Sequence, residues 1–439
     1  MFRRAASLLV INLLVFVVAA EVIALGVFGF QTGWLYYVDP YRPQIDLVPE
    51  PAGGRLTTMA LHPYFGPTHQ PGIPFDLPAA LRPPESARAP APAATNNFGF
   101  TSTRDYPVPR ANERQLLVGI FGGSVAAWFC QVGTERLASQ LAAAPAFRGR
   151  EIVPLCFAHE GYKQPQQLLV LSYFLSIGQE LDLVVNIDGF NEVALSRLND
   201  ARGSDISMPS VMHMDPLTAL LDQSSLTADK VDSLARIQGY RRRLNAAAAR
   251  ANGAASAAMH FVYSRLHAVL DRQYQAEVRH FEALPASPAT SMVRVTPKVR
   301  ERADGVLWED IASGWMRASV LMQQMLKARG ARYVHVLQPN QYFTTRPFAP
   351  GEAEVALAAD SSFKAGAEQG YPALERVAAS GALAEAGVTF VDGVHLFDAE
   401  RAPVYIDNCC HYTRRGYEIV ADAVARAAGR SEDRPLQAP

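Results

Sequence analysis

Three short apolar runs, each followed by a polar turn and a helical pattern, constrain the fold of this 439-residue chain most strongly. The runs are QLLVGIF at 115–121, EIVPLCF at 151–157 and LDLVVNI at 181–187, and helical stretches follow the first two at 125–143 and 164–178. Strands that are apolar on both faces and alternate with helices are typical of a parallel sheet covered on both sides. We therefore predict an α/β fold, a three-layer α/β/α sandwich with a mostly parallel sheet.

The strand and helix pattern breaks after the third run and resumes later in the chain. Residues 195–307 contain polar loops and a long helical region at about 229–284, which we interpret as a helical insertion, either a hairpin or a cap. The expected sheet domain therefore has two parts, 111–194 and 308–439. The second part contains the remaining predicted elements, which are helices at 308–330, 366–386 and 413–429 and strands at 331–339 and 387–393.

The first 35 residues predict a membrane segment. Arg3 and Arg4 precede a mostly apolar stretch at 5–30, and the next basic residue is Arg42. At 1.5 Å per residue, a helix of this length spans a bilayer core of about 30 Å. The positive-inside rule then places the N-terminus in the cytoplasm and the rest of the chain in an extracytoplasmic, periplasmic location.

A cleaved signal peptide is the alternative interpretation of residues 1–35. Val18, Ala19 and Ala20 resemble a signal-peptidase site. We favour an uncleaved transmembrane anchor, because strong hydrophobicity continues past that site. Glu21 is costly in lipid, so we expect it to lie near the interface, to pair with a partner, or to mark the cleavage junction.

Residues 36–110 are rich in proline, alanine and polar residues and lack a periodic apolar pattern, which predicts a stalk or a surface arm. The formal net charge of -1 gives no electrostatic reason to expect a nucleic-acid partner. We therefore expect membrane contact through the N-terminal helix and no nucleic-acid binding.

The chain contains four cysteines, Cys130, Cys156, Cys409 and Cys410. An exported chain permits disulfides, but adjacent cysteines rarely bond to each other. We expect four small buried thiols. No CxxC pair suggests zinc, so we expect no metal and no cofactor.

Four short polar segments follow predicted strands or precede the last helix: 122–124, 158–161, 188–192 and 407–411. Ligands of open α/β sheets bind at the carboxyl ends of the strands. The segment Gly122-Gly123-Ser124 has three interpretations, namely a packing turn, a phosphate loop, or a turn that presents Ser124. The phosphate motifs GxxxxGK[ST] and GxGxxG are both absent, so the other segments must decide.

Together these segments contain the groups needed for acyl transfer. A serine hydroxyl such as that of Ser124 is a weak nucleophile until a base takes its proton, and His411 is the candidate base. Asp407 is the candidate carboxylate that orients the imidazole and stabilises the imidazolium. The backbone N–H groups of Ser124 and Gly161 and the side-chain amide of Asn191 are candidate donors to the oxyanion.

The same segments resemble the SGNH (GDSL-like) hydrolase family. FGGSVA at 121–126 resembles the nucleophile block, with Gly-Gly-Ser in place of the common Gly-Asp-Ser, and Gly161 in HEGYKQPQQ resembles the second-block glycine. GFNE at 189–192 is similar to Gly-x-Asn-Asp, and 407–411 resembles the Asp-x-x-His block. The resemblance implies a serine esterase acting on O-acyl esters of carbohydrate or lipid, through an acyl-serine intermediate.

The sequence departs from that family in two places. The spacing from Asp407 to His411 is one residue longer than usual, so that Asn408 occupies the usual acidic position, and Glu192 replaces an aspartate. Either a small bulge brings Asp407 to His411, or the amide of Asn408 orients the imidazole without offsetting its charge. We favour Asp407. The alternatives are an O-acyltransferase that modifies an envelope polysaccharide, or a non-catalytic binding module with an SGNH-like fold.

Several candidate residues have simpler structural interpretations. His411 alone would be a surface histidine, and Asn191 alone would be a turn residue. Asp188 and Glu192 are most simply solvated loop or cap carboxylates. His159 is a rival to His411 with only Glu160 beside it. Residues 338–341, in LQPNQYF, either line the pocket through Gln338, Asn340 and Gln341 or form a plain loop.

Overall fold

The computed structural model describes residues 2–39, 42, 44–48, 59–75, 77–81, 94–214, 227–285, 298 and 301–430. Parts of the predicted stalk and of the predicted insertion therefore lie outside the described residues. Internal packing divides the chain into two compact units, one comprising Met1–Ala52 with Leu220–Arg294 and the other comprising Gly53–Ala219 with Val295–Pro439.

The strands of the described residues all belong to the second unit. They are β1 (Met59–His62), β2 (Gly66–His69), β3 (Gln115–Gly122), β4 (Glu151–Cys156), β5 (Leu183–Asp188), β6 (Arg332–Leu337) and β7 (Thr389–Asp392).

The helices of the first unit are α1 (Phe2–Thr32), α7 (Ala228–Asn252) and α8 (Ala257–Ala283). The helices of the second unit are α2 (Ser124–Val132), α3 (Thr134–Ala143), α4 (Gln166–Ser176), α5 (Phe190–Ala201), α6 (Val211–Met214), α9 (Asp304–Lys327), α10 (Glu352–Ala356), α11 (Lys364–Ala378), α12 (Ala382–Glu385) and α13 (Arg414–Arg430). Short 3₁₀ turns occur at Ala79–Leu81 and Pro145–Phe147.

The main sheet has five strands in the order β4-β3-β5-β6-β7, and every neighbouring pair is parallel. On one face, α13 packs with α2 and α3, and on the other α9 packs with α4, α5, α11 and α12. All residues of β3 and β5 are buried, as expected for strands covered on both faces. The predicted α/β/α class is confirmed.

The strand order places a topological switch point beside β3. The chain proceeds from β3 to β4 on one side and then crosses to β5 on the other side. Ligands of open α/β sheets bind in the crevice at such a point, outside the carboxyl ends of the strands. Ser124 follows β3, and Asn191 follows β5, so both residues lie at this crevice.

Part of the segment predicted to be a stalk or a surface arm packs on the sheet domain. β1 and β2 form an antiparallel hairpin, and Phe65 within its turn is buried together with Phe100 and Tyr106. The Tyr106 hydroxyl donates to the Cys156 carbonyl at 2.8 Å. The sequence did not distinguish a stalk from a surface arm, because isolated aromatic residues between prolines show no period even when each one fills a core position.

The expectation of four free thiols was wrong for two of the cysteines. Cys130 in α2 and Cys156 at the end of β4 form a disulfide, with their Cα atoms 5.8 Å apart. They become neighbours because β4 pairs with β3, the strand that leads into α2. Cys409 and Cys410 are free thiols.

The first unit contains the N-terminal helix and a helical hairpin. Residues Leu8–Thr32 of α1 are long and apolar enough to cross a membrane, a property that a signal sequence shares. α7 and α8 pack against each other, and α8 also contacts α1. Glu21, the acidic residue in α1, accepts hydrogen bonds from the Ala257 and Ala258 N–H groups at 2.9 and 3.0 Å, so it has partners at the N-terminus of α8.

Candidate active site

Ser124 is the first residue of α2, and only Gly123 separates it from the end of β3. The turn between them requires glycine at 122, where φ is +140° and an added Cβ would lie 2.1 Å from the Ile187 carbonyl oxygen. The N–H groups in the first turn of a helix have no acceptor within that helix. The hydroxyl and the backbone N–H of Ser124 are therefore both presented at the carboxyl edge of the sheet.

The Ser124 hydroxyl lies within hydrogen-bond distance of His411. The distance from Ser124 Oγ to His411 Nε2 is 2.7 Å, and the distance from His411 Nδ1 to Asp407 Oδ2 is 2.5 Å. An ionised carboxylate only accepts hydrogen bonds, so Nδ1 carries the proton shared with Asp407. Nε2 then holds the lone pair and accepts from the Ser124 hydroxyl.

The loop that carries His411 is organised around the other carboxylate oxygen of Asp407. Asp407 Oδ1 accepts from the backbone N–H groups of Cys409, Cys410 and His411 at 2.9, 3.1 and 3.3 Å. This turn accommodates the extra residue between Asp407 and His411. Asn408 is exposed, and its carbonyl accepts from the Tyr342 hydroxyl at 2.7 Å. The carboxylate at 407, and not the amide at 408, faces the imidazole.

The environment of Asp407 favours its charged form. Burial alone would raise the pKa of this carboxyl, but the hydrogen bond and charge of His411, together with the backbone donors, hold the pKa below its usual value. An ionised Asp407 keeps the Nδ1 proton of His411 in place. One face of the imidazole is covered by Trp128 in α2, whose ring stacks on His411 with centroids 3.9 Å apart and planes 23° apart.

Asn191 lies against the turn that presents Ser124. A Cβ at Gly123 would lie 2.1 Å from Asn191 Nδ2 and 3.1 Å from the Tyr162 carbonyl oxygen, so the three residues are in close contact. Asn191 Nδ2 donates to that carbonyl at 2.9 Å, which uses one of its two N–H bonds. Gly161, directly before Tyr162, has a φ of +76°. Gly123, Tyr162 and Asn191 are therefore neighbours at the turn that precedes Ser124.

Asp188 and Glu192 are not solvated, contrary to the expectation from the sequence, since only 1% and 2% of their surfaces are exposed, but the expected role as a cap is confirmed for Glu192. Asp188 Oδ1 accepts from Trp315 Nε1 at 2.6 Å and lies 2.7 Å from His335 Nε2. Glu192 accepts from the Gly189 N–H at 2.7 Å and thereby caps α5. Both side chains hold the segment at the end of β5 in place, and the partners of Asp188 come from distant parts of the sequence.

His159, the rival histidine, occupies a different environment from that of His411. Its backbone N–H donates to the Gly122 carbonyl at 3.3 Å, and its ring packs near His69 and Tyr162. The side chain is buried. It belongs to a separate cluster with His69 and Glu160.

Residues 338–341 support the loop that holds His411. Gln341 Nε2 donates to the Asp407 carbonyl at 3.1 Å, and Asn340 Nδ2 donates to the Cys409 carbonyl at 3.4 Å. Gln338, buried like these two, accepts at its carbonyl from the Tyr371 hydroxyl at 2.9 Å. Their position directly after a predicted strand, β6 in the structure, was the only feature of the sequence that pointed to them.

Trp128 and Cys410 are site residues that the sequence analysis missed. Trp128 lies one helical turn after Ser124, a spacing that places both side chains on one side of α2. The Cys410 thiol is buried, and its Sγ lies 3.2 Å from that of Cys409. Burial raises the pKa of Cys410, so this sulfur stays protonated.

Comparisons with known proteins add little to this geometry. No protein-family model and no curated protein matches the chain. A solved structure described as the crystal structure of the lipase Lip_vut3 from a goat rumen metagenome is similar at 10% sequence identity, with a TM-score of 0.29, over 72% of this chain and 100% of that one. A TM-score this low does not establish a shared fold, so the likeness carries no weight for function.

Proposed function

We propose that this chain is a serine esterase in which Ser124 is the nucleophile, His411 the general base and acid, and Asp407 the orienting carboxylate. The observation that carries the proposal is the chain of two short contacts, 2.7 Å from Ser124 to His411 and 2.5 Å from His411 to Asp407. A nucleophile and a base in hydrogen-bond reach, with the base oriented by a third group, define this type of chemistry.

The proposed reaction has two halves. Ser124 Oγ attacks the ester carbonyl while its proton passes to His411 Nε2, and Asp407 stabilises the imidazolium. The tetrahedral intermediate collapses, the bond to the alkoxide breaks, and His411 returns the proton to the leaving alcohol. Water then attacks the acyl-serine with His411 again as base, which releases the acid and restores the Ser124 hydroxyl.

The oxyanion would be held by the backbone N–H groups of Ser124 and Gly161 and by the side chain of Asn191. The N–H of Ser124 supports this assignment, because it has no acceptor within α2. Asn191 supports it as well, because only one of its two side-chain N–H bonds is donated to the Tyr162 carbonyl. Removing one such donor typically costs about 10²–10³-fold in kcat.

We further propose that the esterase acts at an extracytoplasmic membrane surface on O-acyl esters of carbohydrate or lipid. Arg3 and Arg4, which precede the apolar stretch of the N-terminal helix, favour this orientation. The Cys130–Cys156 disulfide supports it as well, because disulfides persist in oxidising compartments. Residues 1–35 would then serve as the membrane anchor.

Hydrolysis of short-chain p-nitrophenyl esters by the full-length protein in detergent tests the proposed function. We expect turnover by the wild type and a loss of at least about 10³-fold in kcat for Ser124→Ala, with unchanged thermal unfolding. Thr345→Ala, which removes a hydroxyl from a residue outside the site, is the matched control and should match the wild type. Equal turnover by Ser124→Ala and the wild type would refute the proposal.

A further inference from the structure

A second cluster of ionisable side chains lies behind Gly161 and takes no part in the proposed reaction. His69 ends β2, His159 and Glu160 follow β4, and His213 belongs to α6. These side chains come from three separate segments of the second unit. The cluster centres on Glu160, the residue directly before Gly161.

The distances within the cluster suit a metal ion. Glu160 Oε2 lies 3.1 Å from His69 Nε2. One ligand atom from each of His69, His159 and Glu160 lies within 4.8 Å of the other two. Tetrahedral zinc, with bonds of about 2.0–2.1 Å, places its ligand atoms roughly 3.4 Å apart, so small side-chain rotations would complete the set.

His213 is the candidate fourth ligand. Its ring packs so closely on Gly161 that a Cβ there would lie 2.3 Å from His213 Nδ1. Both His213 Nδ1 and His159 Nε2 are buried, and neither has a hydrogen-bond partner among the described residues. Buried polar nitrogens normally have partners. Two imidazole nitrogens without one, in the same cluster, are the observation that points to a ligand.

The hydrogen bonding of His159 also matches that of a metal ligand. His159 Nδ1 lies 3.0 Å from the Glu160 carbonyl, and metal-binding histidines commonly donate their other N–H to such a group.

We propose that His69, His159 and Glu160 bind a zinc ion, with His213 as the fourth ligand. Two or three imidazoles with one carboxylate form a donor set typical of zinc. The ion would tie the β1–β2 hairpin to the segment that carries Gly161. The proposal is independent of the esterase chemistry, since none of the four residues is assigned a role in it.

Zinc titration of the full-length protein in detergent, after removal of metals with a chelator, tests this site. A chromophoric chelator that competes for zinc reports the affinity. We expect one equivalent to bind the wild type and Ser124→Ala alike, and the affinity to fall at least about tenfold in Glu160→Gln and in His69→Gln. His395→Gln is the matched control, because His395 is an exposed histidine paired with Asp398 at 2.9 Å, and it should bind like the wild type.

A cobalt spectrum distinguishes this site from the one other group of candidate ligands among the described residues, Cys409, Cys410 and His411. Cobalt at the proposed site has only nitrogen and oxygen ligands, so no thiolate charge-transfer band should appear. Zinc should raise the melting temperature of the wild type but not that of Glu160→Gln. A wild type that binds no zinc, unchanged binding by Glu160→Gln, or a thiolate band would each overturn the proposal.

Discussion

Asp407 Oδ2 lies 2.5 Å from His411 Nδ1, although the two residues are four positions apart in a loop and not on a helix. The turn closes because Asp407 Oδ1 accepts three backbone N–H groups in a row, those of residues 409, 410 and 411. One carboxylate therefore both shapes the loop and orients the imidazole. This double role makes Asp407 the most informative residue to change after Ser124.

Asp407→Asn should reduce kcat for ester hydrolysis by about 10²–10⁴-fold and change KM little, because an amide leaves the imidazolium without a counter-charge and permits the wrong tautomer. The matched control is Asn408→Ala. The side chain of Asn408 is exposed, and its backbone carbonyl makes the contact with Tyr342, so activity should be unchanged. Steady-state kinetics would contradict the assignment if Asn408→Ala were the more damaging change.

The lowered pKa of Asp407 predicts that the stability of the protein depends on pH. The folded-state pKa of Asp407 is lowered, so its contribution to stability is present above the unfolded value of about 3.9 and is lost as the pH falls through the folded value. Urea midpoints of the wild type and Asp407→Asn should therefore differ at neutral pH and converge in acid. A difference that stays constant down to pH about 2 would contradict the lowered pKa.

Gly123→Ala tests the contact between the serine turn and Asn191. The added Cβ would lie 2.1 Å from Asn191 Nδ2, so the amide must move away from Ser124. We expect kcat to fall by about 10²-fold or more if Asn191 is an oxyanion donor. Gly305→Ala is the control, because its Cβ would meet nothing within 4 Å. Full activity in Gly123→Ala would exclude Asn191 from the reaction.

Replacing both Cys130 and Cys156 by alanine should lower the free energy of unfolding by about 2–4 kcal/mol, because the disulfide closes a loop with a sequence separation of 26. Denaturant midpoints measure the change. Reductant should lower the midpoint of the wild type but leave that of the double variant unchanged, which separates this bond from the free thiols at 409 and 410. Equal midpoints for the wild type and the double variant would contradict the expected loss.

The sequence predicted the parallel sheet because the segments that form β3 and β5 are mostly apolar on both faces, as strands of a sheet covered by helices on both sides are. It did not predict the disulfide, since the proximity of Cys130 and Cys156 depends on strand order, which no local pattern encodes. The burial of Asp188 was missed for a related reason. Its partners Trp315 and His335 belong to elements that follow the insertion.

The residues of the candidate site were predictable to the extent that each follows a strand or precedes the last helix. The supporting contacts of Asn340 and Gln341 were not, because they depend on the conformation of the 407–411 turn. Burial of Phe65 and Phe100 within a proline-rich segment was missed too, since single aromatic residues carry no periodic signal.

Covalent labelling with a fluorophosphonate, followed by mass spectrometry of the intact protein and its peptides, tests the central claim most directly. We predict one adduct per chain, on the peptide that contains Ser124, and greatly slowed labelling in His411→Ala because the hydroxyl loses its base. Labelling that is absent from the folded wild type, or that proceeds at the same rate without the His411 imidazole, would contradict the account.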